Sequence, residues 1–221
     1  MWKLMQEQDN LVIEARRRAV AMLRTTQQMF ENVIKAMRDG PGAGHRGRVR
    51  DIDKEINREQ REVRRMVFEH LVLSSGRDLL EGLRLVTVVI DIERIGDYSK
   101  NIEELFEMFP QGFDLGEDRE QVAAIEARAL EGFGACIQAF ESGDEAAAQR
   151  TIAAYDEVAR YCELHLRKVM LGNQDDACID RNVMGAVLLM RYLKRTCGHL
   201  KNIASAMINP FDRIGFRVGI D

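Results

Sequence analysis

Apolar residues recur three and four positions apart along most of this chain, the spacing that lines one face of an α-helix. The first such pattern predicts a helix over about 6–37. Leu11, Val12, Ala15, Ala19, Met22, Leu23, Met29, Val33, Ile34 and Met37 form its stripe. Asp39-Gly40-Pro41-Gly42-Ala43-Gly44 ends it, because no helix crosses such a run. A second helix, charged on most of its surface, is predicted over about 46–73, with Ile52, Ile56, Val63, Val67, Leu71 and Val72 inward. After Ser74-Ser75-Gly76, with Ser75 as the expected cap, a third is predicted over about 77–108, closed by Pro110-Gln111-Gly112.

The second half repeats this layout. A fourth helix is expected over about 119–141 on Val122, Ile125, Leu130, Phe133, Ile137 and Phe140. Ser142-Gly143-Asp144 reads as a turn with an N-cap, leading to a fifth helix over about 144–170 with Ile152, Val158, Cys162, Leu166 and Val169 inward. A loop at 172–176 precedes a sixth helix over about 181–207. The tail after Pro210 has no helical reading. Self-similarity accompanies the layout: without a gap, VTVVIDIERIGDYSKNI from Val86 falls on VLLMRYLKRTCGHLKNI from Val187. Arg94 meets Arg195, Lys100 meets Lys201, Asn101 meets Asn202 and Ile102 meets Ile203. The expected fold is all-α: two tandem three-helix bundles related by a pseudo-twofold, over about 1–110 and 115–210, with a tail at 211–221. Short connections favour antiparallel neighbours.

Composition agrees with the helical reading. Charged residues make up 31% of the chain, aromatics 6%, and there are three prolines. A net charge of −4 gives no reason to expect nucleic acid, which needs a basic face. No apolar run approaches the roughly 18 residues of a membrane span. The opening MWKLMQEQDN lacks the apolar core of a signal peptide, so the expected location is cytoplasmic, with no membrane insertion. Cys136, Cys162, Cys178 and Cys197 form no C-x-x-C and read as small buried or half-buried thiols. His45, His70, His165 and His199 share no metal-binding spacing and read as surface or packing residues.

The chemistry concentrates in Val86–Leu105. Glu93, Asp97 and Asn101 follow at i, i+4 and i+8 along one helical face. Gly96 stands mid-helix, where glycine costs about 1 kcal/mol against alanine. Its missing Cβ permits close approach by another helix or by a ligand held on the flanking carboxylates. Such carboxylates repel each other by a few tenths of a kcal/mol, and a cation between them reverses the sign. Oxygen donors suit magnesium, manganese or ferric iron; zinc is disfavoured. An adjacent second helix would add Asp53, with Asp51 or Asn57 beside it. The plain alternative is a solvated face in which Arg94 pairs with Asp91 and Asp97, and Asn101 and Asn202 cap or bridge helices.

Glu93-Arg94-Ile95-Gly96-Asp97-Tyr98 followed by Asn101-Ile102 resembles the signature of the PhoU family of phosphate-uptake regulators. In that family the E/D-x-x-x-D carboxylates line metal sites on a helical bundle. The resemblance implies a metal on Glu93, Asp97 and Asp53. It also implies a regulator acting on the cytoplasmic component of a phosphate transporter or on its sensor histidine kinase, as a homodimer. Asn57 stands where the family's second-helix D-x-x-x-D pattern ends. In the second half Lys194 replaces Glu93, Gly198 replaces Asp97, and Arg160 closes Asp156-Glu157-Val158-Ala159. A metal is therefore expected in the first half, with an empty surface in the second or an anion near Arg195 and Lys201.

Two other function classes compete. A di-iron type enzyme needs E-x-x-H on two helices, which the chain lacks. A metal-free helical scaffold needs no site at all. Nucleophile elbow, Walker and dinucleotide motifs are absent, so no enzymatic activity is expected. GPGAGHRGR resembles a phosphate loop in composition alone and reads as an interhelical connection.

Overall fold

A computed structural model describes residues 2–39, 48–109, 111–112, 114–171 and 180–216, with side chains over 11–38 and from Arg48 onward. The described residues form six α-helices and no strand: α1 (Trp2–Asp39), α2 (Arg48–Leu73), α3 (Leu79–Glu107), α4 (Arg119–Ser142), α5 (Glu145–Leu171) and α6 (Arg181–Ile208). Single 3-10 turns stand at Gly116–Asp118 and Phe211–Arg213. The expected glycine-rich connection at 40–47, the loop at 172–176, Pro110, Cys178, His45 and the last tail residues lie outside the described residues.

Helix ends follow local chemistry at the α4–α5 turn but not at the start of α3. Asp144 caps α5, accepting from the Ala147 N–H at 3.0 Å, and Gly143 takes the left-handed conformation that closes α4. Ser75 does not cap α3. It takes positive φ in the turn, and Asp78, also at positive φ, precedes the helix without a side-chain cap. The carboxylate of Asp78 is occupied instead by His70 Nε2 at 3.1 Å, and His70 is fully buried on α2. A pairing across the turn thus takes the place of the local cap.

The helices form two three-helix bundles, as the repeat predicts. α1, α2 and α3 pack on one another, and α4, α5 and α6 do likewise. A shared core joins them. α3 lies against α6 and α1 against α4, and one continuous buried cluster draws on all six helices. Both contacts run antiparallel. Arg84, near the start of α3, donates to the Asn209 carbonyl beyond the end of α6, while Arg181 at the start of α6 donates to the Met108 carbonyl. Phe30 of α1 meets Phe133 of α4 with centroids 5.8 Å apart, and Arg38 reaches the buried Glu126. Repeat-matched pairs are buried alike: Val88 with Leu189, Ile92 with Leu193 and Ile102 with Ile203. Burying each such side chain is worth about 1.5–3 kcal/mol.

Several apolar positions fall outside the core. Ile90, Val72 and Leu166 are exposed, although their spacing places them on apolar stripes. A stripe read from periodicity is broader than the face a neighbour can cover. Phe30, absent from the expected stripe of α1, is fully buried.

Gly96 serves helix packing. A Cβ there would lie 3.3 Å from Ile56 Cδ1, so the glycine is where α2 approaches α3 closely. The added bulk of Gly96→Val is expected to cost about 1–3 kcal/mol. Combining it with Ile56→Ala should cost less than the sum of the single changes, read by chemical denaturation. Strict additivity would show that the two residues do not press on each other. At the α3–α6 seam, Asp91→Ala leaves two polar partners stranded and should destabilise by about 1–3 kcal/mol. A change within 0.5 kcal/mol would count against a structural role for that carboxylate.

Candidate functional site

Close packing of Ile56 on Gly96 sets the register of α2 against α3, and the register assembles the acidic site. Asp53 lies three residues before Ile56 and shares its side of α2. On α3, Gly96 is followed by Asp97 and, one turn on, by Lys100. Lys100 Nζ stands 3.2 Å from Asp53 Oδ2 and 3.2 Å from Asp97 Oδ1. Arg94 flanks the group from outside, with Nη1 3.5 Å from Asp97 Oδ2 and Nε 3.8 Å from Glu93 Oε2. Glu93 and Asp53 are mostly buried, with side chains 16% and 15% exposed.

The electrostatics follow from this placement. Burial, with the charge of Asp97 added, holds the Glu93 carboxyl above the ordinary carboxylate range. Asp53 pushes the same way, and Arg94 and Lys100 oppose it. Burial disfavours the Lys100 ammonium, but its hydrogen bonds to Asp97 and Asp53 outweigh that and raise its pKa. Asp53 and Asp97 thus share one inward-directed ammonium, with Glu93 one turn away on α3 and Arg94 half in solvent, and the surplus charge is negative.

Asp53, Glu93 and Asp97 fit a hard cation in donor chemistry, since all offer oxygen. In placement, Lys100 stands between two of them. Among the described residues no group of three or more His, Cys, Asp or Glu side chains is close enough to hold a metal as it stands. Two further expected donors are turned elsewhere. Asp51 is exposed and pairs with Lys54, and the Asn57 amide donates to the Asp53 carbonyl of its own helix.

The corresponding place in the second bundle has other chemistry. Lys194 pairs with Glu163 at 3.5 Å. Tyr155 packs where a Cβ on Gly198 would come within 3.3 Å of its ring. Lys201 lies 5.2 Å over that ring and donates to the Gly215 carbonyl. The turn it holds is pinned further by Gly215 N–H to Ser205 Oγ and by the Asn209 amide to the Arg213 and Phe216 carbonyls. An anion expected near Lys201 would therefore compete with the C-terminal turn. Glu157 pairs with Arg128 of α4 at 3.7 Å, beside a groove of about 540 Å³ between α4 and α5 floored by Gly132, Thr151, Cys197 and Leu200.

Sequence reasoning missed one constellation. Asp91 is not on the solvated face with Arg94; it is buried at the seam. Asp91 Oδ1 lies 2.6 Å from His199 Nδ1 and accepts from Asn202 Nδ2 at 3.1 Å, and Tyr98 stacks on His199. Asn202 is the bridging asparagine expected as the plain alternative. The repeat held a signal for the rest: Tyr98 aligns with His199 and Asp91 with Tyr192, so an Asp–His contact faces a Tyr98–Tyr192 contact across the pseudo-twofold. Cys136, Cys162 and Cys197 are buried free thiols, as expected, and burial pushes their pKa values up to about 12, 11 and 12.

Comparison with known proteins covers both halves. The PhoU domain matches residues 19–106 and again 125–207. The fold is similar to that of PhoU from Pseudomonas aeruginosa, with a TM-score of 0.78 and 22% identity over 90% of this chain and 96% of that one. It is also similar to the phosphate transport system regulatory protein PhoU from Streptococcus pneumoniae, with a TM-score of 0.75 and 17% identity over 91% and 95%. No curated protein sequence matches. The domain matches span α1–α3 and α4–α6 in turn, and the first contains the Glu93–Ile102 signature: the chain belongs to the PhoU family.

Proposed function

We propose that this protein is a non-catalytic regulator of phosphate uptake and phosphate homeostasis, acting in the cytoplasm by contact with a phosphate transporter's cytoplasmic component or with its sensor histidine kinase. The observation that carries the reading is the PhoU domain match over both bundles, with the signature retained on α3. The described surface supports action by contact. Phe68, Val72, Leu73, Leu79 and Leu80 are all exposed around the α2–α3 turn, an apolar end on a protein otherwise rich in surface charge. No helix among the described residues is long and apolar enough to cross a membrane, so the contact is made without insertion through one of them. The working form in this reading is a homodimer.

A strain lacking the protein, and any redundant copy, is expected to show altered phosphate uptake or raised phosphate-starvation gene expression in phosphate-rich medium. Unchanged uptake together with unchanged expression would sink the regulator reading.

The metal part of the reading places a hard cation, iron or magnesium or manganese, on Glu93, Asp97 and Asp53 of the first bundle. Its support is the oxygen chemistry of the three side chains and the surplus negative charge around them. The metal-free scaffold is the competing reading, favoured by the Lys100 ammonium between Asp53 and Asp97. Replacing both Glu93 and Asp97 with alanine should abolish metal uptake measured by elemental mass spectrometry, and full stoichiometry in that variant rules the site out. Turnover of a phosphoester by the purified protein, lost on changing Asp97, would instead bring the metal-dependent enzyme forward.

A further inference from the structure

The turn after α6 (209–216) crosses the seam between the bundles and is tied to both signature helices. On the α6 side, the Gly215 N–H donates to Ser205 Oγ at 2.7 Å, and Lys201 donates to the Gly215 carbonyl. On the α3 side, Arg84 donates to the Asn209 carbonyl, and the 3-10 turn at Phe211–Arg213 lies against α3. The attachment is polar. Asn209 is buried and its amide gathers the Arg213 and Phe216 carbonyls, yet no residue from Pro210 to Phe216 is buried. A segment held by hydrogen bonds with little apolar burial belongs to the parts of a protein that open at low cost.

Asn202 joins this turn to the seam. Its Nδ2 donates to Asp91 Oδ1 at 3.1 Å, the oxygen that His199 also reaches. Its Oδ1 faces Gly215 so closely that a Cβ there would lie 3.2 Å away. Its carbonyl accepts from Ser205 Oγ at 2.7 Å, the same hydroxyl oxygen that accepts from Gly215. We propose that the turn at 209–216 is a strap with docked and released states, and that docking fixes the Asn202 amide on Asp91 and so holds α3 against α6. Release frees that amide to rotate, leaves the buried Asp91 with His199 alone, and loosens the seam. An event at the strap is thereby felt on α3, the helix that carries the family signature. The strap is the two-state element that such coupling requires. Coupling of this kind is reciprocal, so weakening the seam at Asp91 weakens docking of the strap.

The test is amide hydrogen exchange on the full chain, as wild type, Gly215→Val, Ser205→Ala, Asp91→Ala and Gly143→Val. Gly215 sits at φ +89°, so valine both strains the strap and crowds Asn202. Ser205→Ala removes the acceptor of the Gly215 N–H with little change of shape, and it keeps the test decisive should Gly215→Val fail to fold. Gly143, at φ +71° with open space around it, is the matched control for a strained turn. In both strap variants we expect exchange to rise about tenfold or more over the strap and over 88–95 of α3, with 56–67 of α2 unchanged. Asp91→Ala should raise exchange of the strap in return, and Gly143→Val should leave 88–95 at the wild-type rate. A rise confined to the strap in either folded variant overturns the coupling, as does no rise at the strap. An equal rise over 56–67, or a rise over 88–95 in Gly143→Val, shows general loosening and overturns it too. So does a strap unmoved by Asp91→Ala.

Discussion

The antiparallel contact of α3 with α6 is the constraint on which the rest of the molecule depends. Each is the signature helix of its bundle, and each is buried against its own bundle and against the other. Such a helix needs a broad apolar arc, and Leu85, Val88, Val89, Ile92, Ile95 and Ile102 are all buried, which leaves the face of Glu93, Asp97 and Asn101 to polar groups. The remaining polar positions on the seam are then specified closely. Asp91 has His199 and Asn202 as partners because a carboxylate without them at that depth would cost several kcal/mol. Slippage between the bundles would separate Asp91 from both partners.

Packing on the other side of α3 positions the chemistry. The close approach of Ile56 at Gly96 brings α2 near enough for Asp53 to share a cation with Asp97. Glycine costs helix stability at such a position and gives proximity in return. One contact thus links the core to the acidic cluster, and the two cannot be altered independently.

The two bundles show how a duplicated frame diverges. Buried apolar positions match across the repeat because the shared seam constrains both copies equally. Polar positions facing α2 and α5 are free of that constraint. In the second bundle the carboxylates have given way to Lys194 and Gly198, and Tyr155 and the C-terminal turn fill the space. That site has become an internal packing joint, while the first keeps an acidic cluster bridged by Lys100 and flanked by Arg94.

Periodicity alone determined six helices, their order and their pairing into repeats, because helix formation and one-sided burial are local properties written at three- and four-residue spacing. The signature on α3 was equally legible, since its residues are neighbours along one helical face. The tertiary structure decided what those neighbours meet. From spacing, Asp91 belongs with Arg94 in solvent; in the fold its partners come from α6, more than a hundred residues away. Lys100 reads as one more surface charge until α2 brings Asp53 to it across 47 residues. Ile90, Val72 and Leu166 carry the pattern of core residues, and the fold leaves them exposed. A local pattern specifies which face of a helix can be buried. Which charge is paired, and with whom, depends on chain segments that the pattern does not contain.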